Sequence, residues 1–205
     1  MDFIAHLLLG VLMAYIGLIP PGMINMTVVR TTLSYGRKQA VSFAAGASVV
    51  VSIQASIAMV FANYFHSHPE VLEGLTMVGG IVLLVLSGFF YIQARKKFRG
   101  EGKEKTNGFF SAGLALSALN MLSVPFYLGW STFLSLKGWI TLQQPYILFF
   151  VLGAGIGAFL LCVSYSYFAK VVQQKAQFIA SNINYILSGL FFVLGVVTLV
   201  KIAFM

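Results

Sequence analysis

Two short segments hold the residue types that could recognise a small solute. The first is Gly17-Leu18-Ile19-Pro20-Pro21-Gly22-Met23-Ile24-Asn25, inside a long apolar run. Pro20 and Pro21 remove two backbone donors and clash with the preceding turn, while Gly22 adds backbone freedom, so a helix should kink or unwind here. Asn25, about one turn further on, brings both a donor and an acceptor to the carbonyls that such a break frees. The second segment, Ser117-Ala118-Leu119-Asn120-Met121-Leu122-Ser123-Val124-Pro125, again sets an amide, Asn120, close to a proline, Pro125. This is the chemistry of binding by hydrogen bonds. Plain helix kinking by proline, and an Asn that only ties helices together, are the structural alternatives.

The surrounding elements explain why a break matters. Of the 205 residues 59% are hydrophobic and 9% charged, with a mean hydropathy of +0.91, far from the roughly 45 to 50% apolar and 25% charged of a soluble domain. Apolar runs recur at about 3–29, 40–65, 72–94, 108–136, 146–169 and 183–204, each long enough to cross a bilayer as a helix. They are too long and too uniformly apolar for the alternating strands of a membrane barrel. The expected fold is therefore all-α, a polytopic membrane protein of about six transmembrane helices. Carbonyls freed at membrane depth must meet protein, water or a ligand. Met1-Asp2-Phe3 lacks a basic n-region, so the first run is expected to stay in the mature chain.

The net charge of +8 is topogenic by its placement. Arg30, Arg37 and Lys38 follow the first run; Arg95, Lys96, Lys97, Arg99, Lys103 and Lys105 follow the third; Lys170 and Lys175 follow the fifth. These are eleven of the thirteen basic residues. The positive-inside rule then makes loops 30–39, 95–107 and 170–182 cytoplasmic and puts both termini outside, in a cell (inner) membrane. Residues 95–107 form the one convincing linker in a single transmembrane domain spanning 1–205. It separates a first half, 1–94, from a second half, 108–205, with three runs in each. Three spans per half predict a 3+3 inverted repeat, and in such transporters broken helices mark the midplane site. Asn25 and Asn120 are then expected to face one another, with Pro20, Pro21, Gly22 and Pro125 shaping the binding site. Ser48, Ser52 and Ser56 recur every four residues on one face of the second run, either bordering a solute pathway or serving as packing material.

Pro21-Gly22-Met23-Ile24-Asn25, followed by Gly36-Arg37-Lys38-Gln39-Ala40 and Gly46, resembles the first-half signature of the lysine-exporter (LysE/RhtB) family of amino-acid efflux proteins. Length, six runs, a charged central loop and an Asn in the fourth run extend the resemblance over the chain in outline. Its motif positions here are Pro21, Gly22, Asn25, Gly36, Gly46 and Asn120. The chain departs from the pattern at Met23, where the family has a second proline, and at Ile24, Ala40 and Met121. The resemblance implies a secondary transporter that exports amino acids or related metabolites by alternating access, driven by the proton-motive force. A non-transporting scaffold or accessory subunit is the alternative.

Coupling has no obvious carrier. Asp2, Glu70, Glu73, Glu101 and Glu104 all fall at span ends or in loops, so no intramembrane carboxylate stands ready as a proton relay. His66 and His68 sit near the outer end of the second run, where loop or interfacial roles are the ordinary reading. Gly153 and Gly157 permit close helix approach, inside the bundle or in a homodimer. Tyr91, Gln93, Trp130, Trp139, Tyr165 and Tyr167 read as interfacial anchors. The single Cys162 excludes an internal disulfide, and no metal cluster, phosphate loop, nucleophile–base pair or cofactor motif is present. The expected partners are a small-molecule substrate and the lipid bilayer; basic residues lie between apolar runs, a pattern that does not suit nucleic acid. No enzymatic activity is expected.

Overall fold

The computed structural model describes residues 3–68, 81, 84, 85, 87, 88, 91, 92, 108–120 and 122–203. The linker 95–107, most of the third run and the five acidic residues lie outside them. Among the described residues every regular element is helical, and the protein is an all-α polytopic membrane protein. The helices are α1 (Phe3–Gly17), α2 (Met23–Tyr35), α3 (Arg37–Ser67), α4 (Phe109–Ala118), α5 (Ser123–Leu136), α6 (Tyr146–Tyr167) and α7 (Ala169–Ala203). Two of them, α3 over Arg37–Phe65 and α6, are long and apolar enough to cross a membrane unbroken. The pair α4 and α5, bent by 65° at the break between them, is long and apolar enough only when the two are taken together.

Two boundaries differ from the sequence expectation. The expected loop 30–39 shrinks to Gly36, whose φ of 96° ends α2 while Arg37 already begins α3. The expected loop 170–182 is helical, within the 35 residues of α7. The cause is the same in both cases: the segments are polar but, apart from Gly36, contain no glycine or proline, and Lys, Arg, Gln and Ala are good helix formers. Polarity marked the membrane edge and said nothing about where the helix ends.

Backbone contacts group the chain into two compact units, Met1–His66 with Lys105–Gln174, and Ser67–Glu104 with Lys175–Met205. In the first unit, each broken span lies against an unbroken one through glycines. A Cβ on Gly10 would come within 2.2 Å of the Phe150 carbonyl oxygen, and one on Gly153 within 2.1 Å of that of Leu7, so α1 and α6 touch backbone to backbone. Gly46 and Gly113 do the same for α3 and α4, at 2.1 Å from the carbonyl oxygens of Phe110 and Phe43. Gly153 and Gly157 are thus spent on internal packing. Around these crossings lies an apolar core in which Ala14, Ala55, Ala58, Met59, Tyr127, Leu134 and Phe150 are buried. In the second unit Ser87 and Ser188 exchange hydrogen bonds: each hydroxyl donates to the other residue's carbonyl at 2.9 Å. Tyr91 meets Tyr185 edge-on, with ring centroids 6.3 Å apart.

Candidate functional site: two interrupted spans

The first interruption covers residues 18–22. Leu18 N–H still reaches the Ala14 carbonyl and Ile19 N–H that of Ile16, after which Pro20 and Pro21 have no N–H to donate, and the ladder resumes with Met26 N–H on Gly22. The freed carbonyls are met by side chains. The Asn25 amide donates to the Leu18 oxygen at 2.7 Å and the Pro20 oxygen at 3.2 Å, and the Tyr165 hydroxyl donates to the Ile19 oxygen. Each such hydrogen bond contributes about 0.5–1.5 kcal/mol net. Gly22 itself is extended, with φ −118° and ψ −177°, and a Cβ there would touch only the Pro20 oxygen at 4.0 Å. The local geometry does not explain why this position is glycine.

The second interruption follows Ala118. Asn120 N–H bonds to the Ser117 carbonyl at 3.0 Å, and α5 starts at Ser123, so Pro125 stands in the first turn of a helix where its missing donor costs nothing. Pro125 therefore starts α5, and the break precedes it. Here the capping side chain comes from α3: Gln54 donates to the carbonyl oxygens of Ser117 at 3.0 Å and Asn120 at 3.1 Å. Ser117 hydroxyl in turn donates to the Ala47 carbonyl at 3.1 Å, fastening α4 to α3 just before the break.

The two breaks approach each other where the Phe126 ring fills the space beside Gly17, 2.1 Å from where a Cβ would stand. The two asparagines do not bond to each other. Asn25 caps its own break, and Asn120 donates to the Ser123 hydroxyl at 3.1 Å. The serine face of α3 turns back on its own helix: Ser48, Ser52 and Ser56 donate to the carbonyls of Ala45, Ser48 and Ser52, and a Cβ on Gly155 would meet the Ser52 hydroxyl at 2.2 Å.

Three residues escaped the sequence reading. Tyr165, assigned there to interfacial anchoring, belongs to a run at the end of α6 that grips the first broken span: Ser164 bonds Tyr15 at 3.0 Å, Tyr165 bonds Ile19, and Ser166 accepts from Thr32 at 2.8 Å. Its signal was a continuous hydroxyl series, Ser164-Tyr165-Ser166, within an apolar helix. Gln54 stands among the serines of the second run, Ser48, Ser52 and Ser56, without sharing their spacing. His6 is fully buried in α1; its Nε2 accepts the Thr141 backbone N–H at 2.8 Å, and its ring lies 4.9 Å from that of Tyr146. Tyr167 is exposed, with the Arg37 guanidinium 4.6 Å from its ring centroid. Both line a cleft of about 550 Å³ with Thr32, Gly36, Ser166 and Lys170. Among the described residues no His, Cys, Asp and Glu cluster could hold a metal ion.

A family model, LysE type translocator, matches residues 15–201, which include both interruptions and the spans that cap them. The chain belongs to this translocator family. It is a multi-pass membrane transporter. No curated protein and no solved structure matches the chain.

Proposed function

We propose that this translocator exports amino acids or closely related metabolites across the inner membrane by alternating access, around a site between its two interrupted spans. The observation that carries the reading is the matched construction of the breaks. Each interrupts an apolar run, each has its freed carbonyls met by side-chain donors, and in each a donor comes from an unbroken span, Tyr165 of α6 or Gln54 of α3. Hydrogen bonds of this kind re-form between two arrangements at small net cost, as rocking of one half against the other requires. The cleft with Arg37 and Lys170 lies on the side assigned to the cytoplasm, where two cations would draw in a solute carboxylate. Asn25→Ala is expected to lower efflux from amino-acid-loaded cells about tenfold, the loss of roughly 1.4 kcal/mol, while membrane abundance holds. Unchanged efflux from well-expressed variant protein would remove Asn25 from the site.

One observation favours a second reading, a non-transporting scaffold. The first break is capped entirely from within the chain, as a shape-only device would be. That reading expects no solute-dependent flux in proteoliposomes and a fixed partner on purification.

A further inference from the structure

Among the described residues two buried side-chain polar atoms have no hydrogen-bond partner, Gln54 Oε1 and the Tyr127 hydroxyl. Both belong to the second interruption. Gln54 caps it from α3, and Tyr127 lies on α5 within two turns of its start, packed in the core that also holds Val51 and Ala55 of α3. Gln54 is 6% exposed and Tyr127 0%. The orientation of the Gln54 amide is dictated by what it faces. The Ser117 and Asn120 oxygens can only accept, so the nitrogen must point at them, and Oε1 is turned the other way. The result is an acceptor-only oxygen held rigidly by its own amide group, in a low-dielectric interior, with nothing donating to it. Such unsatisfied groups are rare in native proteins and concentrate where a function needs them.

We propose that Gln54 Oε1 and the Tyr127 hydroxyl are the specificity contacts for the transported solute, the amide oxygen accepting from a solute ammonium and the phenol donating to its carboxylate. This rests on the transport reading above and deepens it: the amino group is recognised at the second interruption, while Asn25 holds the backbone of the first break and Asn120 the Ser123 hydroxyl. The two orphaned atoms together ask for a solute with one strong donor and one strong acceptor, and an amine-free acid satisfies only the phenol. A solute that reaches both positions gains two hydrogen bonds without competing for Gln54 Nε2, which is already committed to its two carbonyls.

The test uses the full-length protein reconstituted in liposomes, with labelled L-amino acids of neutral, cationic and anionic side chain as probes and their deaminated acids as competitors. Wild-type protein is expected to move amino acids with little competition from the deaminated acids. Gln54→Met and Tyr127→Phe are each expected to raise the half-saturation concentration about tenfold or more, the loss of one hydrogen bond to a charged group. Should Gln54→Met fail to fold, Tyr127→Phe carries the test alone, since it deletes a hydroxyl that bonds to nothing in the protein and should leave thermal unfolding unchanged. Wild-type half-saturation in a folded variant, or full competition by the deaminated acids, overturns this assignment and leaves the transport reading standing. An absence of flux for every probe overturns both.

Discussion

The side chains at the two breaks do what buried amides and phenols do in a medium without water: they take up backbone groups that the helix has released. That gives Tyr165 a measurable weight. Tyr165→Phe removes the donor to Ile19, so a loss of about 0.5–1.5 kcal/mol in unfolding free energy is expected, read by urea or thermal unfolding in detergent. The neighbouring exposed Tyr167→Phe is expected to change stability little, since its ring still faces Arg37. His6 offers a second case. His6→Leu deprives the Thr141 N–H of its acceptor and should cost about 1–3 kcal/mol, whereas His6→Gln, able to accept, should recover part of the loss. Equal damage from both variants would mean that packing against Tyr146 is what matters at this position.

At the scale of elements, glycine placement decides which helices can touch. Gly113→Ala drives a Cβ to 2.1 Å from the Phe43 carbonyl, a backbone atom that cannot step aside alone, and is expected to cost about 1–3 kcal/mol by overpacking. Gly129→Ala in α5 meets nothing within 4 Å, and there the helix preference for alanine should leave stability equal or raised by up to about 1 kcal/mol. Matching unfolding midpoints for the two variants would remove the crossing of α3 and α4 from the account. Much of this level was legible in the sequence. Pro20-Pro21-Gly22 announced the first break, and it stands at residues 18–22 as expected. The position of the second was less readable, because the conspicuous proline, Pro125, starts the following helix and the chain leaves α4 earlier, where Gln54 can reach it. Capping from a distant helix has no local sequence signal. For the same reason Asn120 drew attention as a binding amide, while its backbone carbonyl is the group that Gln54 holds.

For the whole molecule the question is orientation and repeat. Eleven basic residues on one side predict that a cysteine placed at Lys170, in a chain with Cys162 replaced by Ala, reacts with a membrane-impermeant thiol reagent in inverted vesicles and stays unreacted in intact cells. Reaction in intact cells would reverse the proposed topology. The expected repeat has one echo in the sequence: Leu86-Ser87-Gly88 is matched by Leu187-Ser188-Gly189, each followed by paired phenylalanines within a few residues. Those two serines are the ones that exchange hydrogen bonds, each in the role of the other. The glycine crossings of α1 on α6 and α3 on α4 repeat the same exchange, each broken span lying against an unbroken span from the other half.

Gly36 is a joint of one residue, and it sets the angular phase of everything hung from it. Asn25 lies eleven residues before it and Gln54 eighteen after it, close to three and five whole turns at about 3.6 residues each. The two capping amides are therefore clocked from a common origin. One residue inserted in α2 between Asn25 and Gly36 would turn Asn25, together with the break that it caps, by about 100° relative to α3 and Gln54. The chain tolerates no slack at this point: length there is a setting, in the way that tooth count is a setting in a gear.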